Sequence, residues 1–364
     1  MAIYPKLITD ALEKVRYPGT GKNIVELEMV EDDIRIDGSK VSFSLIFDKP
    51  TDPFARSIVK TAESAVKSAC GADTEVEIAV KSRRPVQEKR PLLPGVKNIV
   101  AITSGKGGVG KSTVASNLAV ALAREGYRVG LLDADIFGPS VPKMFGIEDA
   151  EVYMHEVEGR PLIIPVEKYG VKILSIGFMV EKNSAVLWRG GMASNALKQL
   201  IEQADWGELD YFLIDMPPGT SDIHLTLVQT LGITGAIVVS TPQEVALADA
   251  RKGIAMFREP KVNVPVLGLV ENMAWFTPEL HPDEKYYIFG NDEAFENMSK
   301  EYEVPVLSRI PLVAAVGEHS DKGRPIALEE SLMGMEFRHL AHEVADAVEK
   351  RNEQLPPTQK VQAQ

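Results

Sequence analysis

Hydrophobic and polar positions follow two different rhythms along the chain. Residues 1 to about 80 combine amphipathic segments with short alternating ones, which predicts a small α+β domain. Its predicted helices span 4–15 and 53–70, and its predicted strands span 23–27, 40–47 and 74–80. Between residue 96 and about residue 350, continuous apolar runs alternate with helical patterns. Such runs are typical of strands covered on both faces, so this part is predicted to be an α/β domain with a mainly parallel sheet flanked by helices.

Two segments follow neither rhythm. Residues 81–95 are basic and rich in proline, without aromatic side chains between the charges. We interpret them as a solvated linker rather than a nucleic-acid-binding patch. Residues 351–364 are polar and contain two prolines, which predicts a disordered tail. The predicted domains are therefore 1–80 and 96–350.

A glycine-rich loop opens the larger domain. The run GKGGVGKST fits the phosphate-binding pattern G-x-x-x-x-G-K-[ST], and it lies between a predicted strand at 98–103 and a predicted helix at 112–124. Glycines allow consecutive N–H groups to point at phosphate oxygens, and the helix N-terminus adds partial positive charge. The predicted nucleotide-binding residues are Gly105, Lys106, Gly107, Gly108, Val109, Gly110, Lys111, Ser112 and Thr113.

Side chains with the chemistry for phosphoryl transfer accompany this loop. Lys111 is expected to reach the β- and γ-phosphates, and the Ser112 hydroxyl is expected to ligate Mg²⁺. Asp215 ends an apolar strand, where a second carboxylate can hold the metal. Asp133 and Asp135 end another strand and point to one side of it. We predict a metal-side role for Asp133 and orientation of the attacking water by Asp135, although either one alone could be an ordinary turn carboxylate.

A second lysine, Lys106, follows the first glycine of the loop, where it can cross to a phosphate on a facing subunit. With Lys106, the DAD string at 133–135 and the DMPPGTSD string at 215–222, the chain resembles the deviant-Walker-A ATPases, the class of MinD, ParA, the nitrogenase iron protein and Mrp/ApbC. Within that class it most resembles the Mrp/ApbC iron–sulfur cluster carriers. The strings that carry this resemblance are DADIFGPS at 133–140, WRGGM at 188–192, TPQEVAL at 241–247 and VENM at 270–273. Residues 1–80 resemble the iron–sulfur-assembly domain that many of these proteins carry in front.

The resemblance implies a specific working arrangement. ATP would lie between the two subunits of a homodimer, and Lys106 would act across the interface. The catalytic residues would be Lys106, Lys111 and Asp135. Asn272 would read the adenine. Hydrolysis would be coupled to the assembly of iron–sulfur clusters or to their transfer to apo client proteins.

The chain departs from this family pattern in its cysteines. Mrp relatives usually carry C-x-x-C shortly after the Glu-Asn-Met string, and a dimer bridges one [4Fe–4S] cluster with both pairs; residues 274–290 contain no cysteine. The single cysteine, Cys70, is predicted to be a buried apolar side chain. Glu279, His281 and Asp283 could ligate a harder metal, but a solvated loop is the simpler interpretation. Two roles stay open, namely cluster carriage through other ligands and ATP-driven assembly help without carriage.

Composition narrows the remaining alternatives. The net charge of −12 argues against broad nucleic-acid binding, no apolar run approaches a membrane span, and the single cysteine suits a reducing cytoplasm. The first residues lack the pattern of a secretory signal. A MinD/ParA-like positioning switch would need a basic amphipathic end to touch membrane, whereas 333–350 is acidic as well as basic. A nitrogenase-type reductase would need bridging cysteines, so we rank it last.

Overall fold

A computed structural model describes residues 3–48, 52–83, 92–136, 138–157, 159–179, 190–278, 280–281, 284–291 and 293–358 of the 364-residue chain. The chain divides into two units, Met1–Arg90 and Pro91–Gln364, each with its own hydrophobic interior. Most of the predicted linker, 84–91, falls outside the described residues. The parts of it that are described belong to the last strand of the first unit and the approach to the first strand of the second.

The first unit is a three-stranded sheet with two helices. Its elements are α1 (Pro5–Leu12), β1 (Arg35–Asp37), β2 (Lys40–Phe47), α2 (Ala55–Cys70) and β3 (Glu75–Ser82). The strand order is β1-β2-β3, with β1 antiparallel and β3 parallel to β2. Ile8 and Leu12 of α1 and Ile58 of α2 are buried against Phe43 and Leu45 of β2. The helical spacing of the apolar residues therefore places one face of each helix on the sheet.

The strand predicted at 23–27 is wrong. These residues form a turn, in which Asn23 Oδ1 accepts hydrogen bonds from the backbone N–H groups of Val25 at 3.0 Å and Glu26 at 2.7 Å. Asparagine side chains compete in this way for backbone donors and so favour turns over strands. The alternating pattern of the segment arises within the turn, because Ile24 is fully buried while its neighbours are only partly buried.

The second unit is built on an eight-stranded sheet. Its strands are β4 (Val96–Thr103), β5 (Val129–Asp133), β8 (Val166–Lys168), β9 (Val171–Ser175), β10 (Leu209–Asp215), β11 (Gly235–Ser240), β12 (Val266–Phe276) and β13 (Val306–Leu312). They lie in the order β13-β12-β11-β4-β10-β5-β9-β8. All neighbouring pairs are parallel except β8–β9, so the predicted mainly parallel sheet is confirmed. A separate hairpin is formed by β6 (Met154–Val157) and β7 (Arg160–Ile163).

Helices cover both faces of this sheet. They are α3 (Lys111–Arg124), α4 (Val141–Phe145), α5 (Gly190–Glu202), α6 (Asp222–Thr230), α7 (Glu244–Arg258), α8 (Glu293–Tyr302), α9 (Ala314–Asp321) and α10 (Leu332–Gln354). Alternate residues of β4 point to opposite layers, because Val100 and Ile102 pack with α3 and α10 while Ile99 and Ala101 pack with α5 and α6. This two-sided burial explains the continuous apolar runs of the sequence.

The predicted end of the domain at residue 350 and the predicted disorder of residues 351–358 need correction, whereas 359–364 lie outside the described residues. Helix α10 continues through Gln354, and the Arg351 side chain is only 8% exposed. Its guanidinium donates to the Pro356 carbonyl and the Thr358 hydroxyl, each at 2.8 Å, and holds the chain as far as residue 358. Composition suggested a polar tail, but a buried arginine needs acceptors and finds them in the residues that follow it.

Candidate functional site

The phosphate loop joins the carboxyl end of β4 to the start of α3. Gly108 and Gly110 both have φ of +81°, a left-handed conformation that favours glycine. Gly105 is required for a different reason, since a Cβ there would lie 2.2 Å from the backbone carbon of Asp249 in α7. The loop therefore packs closely against α7. The first turn of α3, which receives no hydrogen bond from a capping side chain, begins at the same edge of the sheet. The motif therefore requires glycine at 110 because of its backbone conformation and at 105 because of its close packing.

Lys111 lies at the centre of a group of acidic side chains. Its Nζ is 2.5 Å from Asp215 Oδ1, 3.8 Å from Asp135 Oδ2 and 3.2 Å from Ser112 Oγ. Lys111 is 6% exposed and Asp215 is fully buried. The structure brings together these residues, which the sequence predicted separately, because β4, β10 and β5 are adjacent and their carboxyl ends meet at one edge.

Asp133 has a different environment from the other two carboxylates. Its Oδ1 accepts the Asp135 N–H at 3.2 Å, and its Oδ2 accepts the Ser175 hydroxyl at 2.9 Å and the Val141 N–H at 3.3 Å. Burial and the neighbouring charge of Asp215 raise the pKa of Asp133. Both oxygens already have protein partners, so the structure gives Asp133 the contacts of a residue that holds the loop after β5. Its predicted metal-side role stays a prediction.

The donor set fits magnesium best at Ser112 and Asp215. Asp215 Oδ2 is buried and has no hydrogen-bond partner among the described residues, although a buried carboxylate oxygen normally has one. The Ser112 hydroxyl lies beside the same lysine. Hydroxyl and carboxylate oxygens are the ligands that Mg²⁺ prefers.

The turn after β10 is attached directly to the phosphate loop. The Gly219 N–H donates to the Ser104 carbonyl at 2.9 Å, and Gly219 has φ of +80°. A Cβ on Gly107 would lie 4.0 Å from Pro218 Cγ. The run at 217–219 therefore lies beside the loop that binds phosphate, where it can respond to the last phosphate of a nucleotide.

His224 in the first turn of α6 was missed by sequence reasoning. Its imidazole is fully buried, and its Nδ1 accepts the Ser221 N–H at 3.1 Å. Burial lowers the pKa of His224 to about 4, which keeps the ring neutral. Its Nε2 is also buried. The signal was available, because Ser221 followed three residues later by a polar side chain is the spacing of a capping box.

Lys106 lies in the phosphate loop, and Asn272 contacts the loop from β12. Lys106 is partly exposed, and its Nζ lies 3.5 Å from Gln243 Oε1 at the N-terminus of α7. Asn272 on β12 is 7% exposed, and its Nδ2 donates to the Val109 carbonyl at 2.8 Å. The structure therefore places Asn272 against the loop backbone. Its predicted contact with adenine stays a prediction.

The other candidate metal ligands are not assembled. No group of three or more His, Cys, Asp or Glu side chains within the described ranges is placed to hold a metal ion. His281 pairs with Glu284 at 3.7 Å, whereas Glu279 and Asp283 lie outside the described residues. Cys70 is half-buried, and desolvation raises the pKa of its thiol. Trp188 and Arg189 of the family strings also lie outside the described residues, as does Phe137.

Comparisons with known proteins agree on both units. Residues 95–348 match the family model described as NUBPL iron-transfer P-loop NTPase, and residues 6–78 match the one described as iron-sulfur cluster assembly protein. An iron-sulfur cluster carrier protein of Synechocystis sp. is 44% identical over 351 residues, which cover 94% of this chain and 98% of that protein. The protein of the same name from Escherichia coli K12 is 46% identical over 271 residues, covering 74% and 72% of the two chains.

Solved structures agree with the fold. The nucleotide-binding protein of Archaeoglobus fulgidus in complex with ADP is 38% identical, has a TM-score of 0.56, and covers 65% of this chain and 90% of its own. The cell division ATPase MinD of Pyrococcus furiosus is 24% identical with a TM-score of 0.49, and this distant similarity carries no functional argument. None of the described helices is long and apolar enough to cross a membrane. The predictions of a P-loop fold, an ATPase and the Mrp/ApbC type are confirmed, and the chain belongs to the family of NUBPL-type iron-transfer P-loop NTPases.

Proposed function

We propose that the chain binds Mg²⁺–ATP at its phosphate loop, hydrolyses it as a homodimer, and uses this cycle to assist the assembly or transfer of iron–sulfur clusters to apo client proteins. The observation that carries the nucleotide part is the buried group around Lys111, with Asp215 at 2.5 Å and Asp135 at 3.8 Å. A lysine held by carboxylates at the N-terminus of a helix is poised to exchange those carboxylates for phosphate oxygens.

Each residue of this group has a separate task in the proposal. The loop N–H groups and Lys111 hold the β- and γ-phosphates, and Ser112 and Asp215 hold the metal. Bound magnesium would neutralise charge that develops on the phosphate oxygens. Asp135 orients the attacking water from the side of the lysine, and the turn at 217–219 closes on the last phosphate. Positioning and charge stabilisation supply most of the rate in phosphoryl transfer, so no covalent intermediate is required.

The proposed homodimer accounts for features of the sheet edge that bears the site. Helices α5, α6 and α7 each begin at this edge and expose a large apolar side chain in or near the first turn: Met192 is 57% exposed, Leu225 44% and Val245 71%. Lys106 Nζ lies 3.5 Å from Oε1 of Gln243, which precedes Val245 by two residues. A second copy would cover these side chains and receive the lysine at its own nucleotide.

The proposed role in iron–sulfur cluster assembly is supported by the family of the chain and not by a set of cysteine ligands. The relatives named above are iron-sulfur cluster carrier proteins, and both units of this chain match iron–sulfur families. Because residues 274–290 lack the cysteine pair, we favour assistance by the ATP cycle over stable carriage of a cluster. Location in the cytoplasm, suited to reduced iron–sulfur chemistry, remains part of the proposal.

One experiment separates these parts. Purified chain is reconstituted anaerobically with iron and sulfide, then mixed with an apo [4Fe–4S] enzyme with and without Mg²⁺–ATP. We expect ATP to accelerate activation of the enzyme, with no stable cluster absorption on the chain itself, and the Lys111→Ala variant to be inactive. Absence of ATP turnover with magnesium would refute the whole proposal. A stable cluster would instead refute assistance without carriage.

A further inference from the structure

Asn272 connects two parts of the chain that are far apart in sequence. Its Nδ2 donates to the Val109 carbonyl at 2.8 Å, 163 residues away. A Cβ on Gly110 would lie 2.2 Å from the same nitrogen, so the second glycine of left-handed conformation leaves room for this amide. The contact is buried, with Val109 2% and Asn272 7% exposed. Loss of the donor would therefore leave a loop carbonyl without a partner inside the protein.

The chain changes conformation immediately after this contact. Met273 has φ of +55°, which is unusual for a residue with a side chain, and the pairing of β12 with β13 shifts register between Asn272 and Phe276. Phe276 then pairs with Tyr286 through backbone hydrogen bonds of 2.8 and 2.9 Å in both directions. The bulge therefore lies between Asn272, which contacts the phosphate loop, and the segment that is closed by the Phe276–Tyr286 bridge.

The other side of the bulge is anchored to the body of the domain. Glu271 is fully buried and pairs with Arg309 of β13, Oε2 to Nε, at 3.0 Å. Arg309 also reaches Glu296 of α8 at 2.7 Å. A charge pair that is buried on one partner holds its strand in place, because breaking a buried ion pair costs free energy. This pair therefore fixes the strand on the N-terminal side of Asn272 to the body of the domain.

We propose that Asn272 is a positioning residue that couples occupancy of the phosphate loop to the conformation of the described residues that follow it, 274–278 and 284–288. The side chain does this by holding the Val109 carbonyl, so phosphate alone is sufficient to operate the coupling. This inference rests on the proposed function only in requiring that the loop bind a nucleotide. It differs from base recognition, in which the amide would act on adenine and not on the loop.

Ligand affinity distinguishes the two roles. Binding of ADP, GDP and inorganic triphosphate, each with Mg²⁺, is measured for the wild type, Asn272→Ala and the control Asn297→Ala, an exposed position on α8. We expect Asn272→Ala to weaken all three ligands alike by about tenfold, as for loss of a buried hydrogen bond, with the ADP-to-GDP preference unchanged. Collapse of that preference with unchanged triphosphate affinity would make Asn272 a base reader and overturn the proposal.

Hydrogen exchange tests the coupling itself. We expect inorganic triphosphate at saturation to slow amide exchange in residues 274–278 and 284–288 of the wild type and of Asn297→Ala, and to leave it unchanged in Asn272→Ala. Equal slowing in Asn272→Ala would overturn the proposal. The wild type alone still tests the proposal if Asn272→Ala does not fold. If saturating triphosphate does not slow amide exchange in the wild type, the proposal is also overturned. A wild type that binds neither ADP nor triphosphate would refute the proposed function first.

Discussion

The carboxyl ends of β4 and β12 carry two loops of opposite character. The loop after β4 works through its backbone, with glycines at φ of +81° and one buried lysine. The segment after β12 displays side chains instead, including Leu280 at 88% and Tyr286 at 51% exposed. Phosphate binding by a glycine-rich loop depends on a few strict local geometries, so the sequence alone predicts where this loop lies. The second segment exposes large side chains and contains no cysteine at 274–290, so what it contacts depends on a partner.

The largest expected effect is on the first loop. Lys111→Ala should weaken Mg²⁺–ATP binding by at least about 100-fold, because a buried charge-assisted contact to phosphate is lost. It should also lower the free energy of unfolding by about 3 kcal/mol or more, since Asp215 loses its partner. Calorimetry and urea titration measure the two effects, with Lys143→Ala on α4 as an exposed control. Normal ATP affinity in Lys111→Ala would contradict the assignment of this loop.

Lys106 separates binding from hydrolysis. Lys106→Ala should retain ATP affinity within about twofold and lose about 100-fold in turnover, as expected for a cation that acts on the transition state from a facing subunit. Single-turnover hydrolysis and sedimentation of the ATP-bound form measure this. Turnover equal to that of the wild type would remove the argument for action across a dimer, and loss of affinity would place Lys106 in its own subunit's site.

The turn beside the first loop should respond to acid through His224. Its pKa of about 4 in the folded chain lies below the ordinary value of 6.5, so the unfolded chain binds more protons below pH 6.5. The stability from the neutral ring is complete above pH 6.5 and is lost as pH falls toward 4, by about 2 kcal/mol at pH 5. Urea unfolding at pH 7 and pH 5 should show this loss in the wild type and a smaller one in His224→Gln. Equal losses in both would show that other groups cause it.

The smallest expected effect on turnover concerns the second loop. The double variant Thr277→Cys, Leu280→Cys restores a C-x-x-C spacing at described positions of that segment. We expect ATP turnover within about twofold of the wild type, because both positions lie outside the phosphate loop and the carboxylates around Lys111. We also expect new cluster absorption after anaerobic reconstitution. Cys70→Ser is the matched control, with no change in either. A cluster on the wild type would remove the contrast between the two loops.

Local patterns predicted the fold where burial is simple. The continuous apolar runs of β4, β5 and β10 and the motif at 105–113 placed the phosphate loop correctly, because both depend on near neighbours in sequence. The strand predicted at 23–27 is wrong because the Asn23 side chain accepts hydrogen bonds from two backbone N–H groups and forms a turn. Residues 351–358 misled because polar composition does not reveal that Arg351 is buried. The family assignment needed only the motifs and is confirmed by the match over 95–348.

By itself the sequence determined that a nucleotide loop opens a parallel α/β domain and that no cysteine pair follows the Glu-Asn-Met string. Only the tertiary structure decided which carboxylate meets Lys111, that Asp133 is engaged by Ser175, and that Asn272 holds Val109. The strand order β12-β11-β4-β10-β5-β9 creates these contacts between residues up to 163 positions apart. Periodicity records which face of an element is buried, and it contains no information on which element becomes its neighbour.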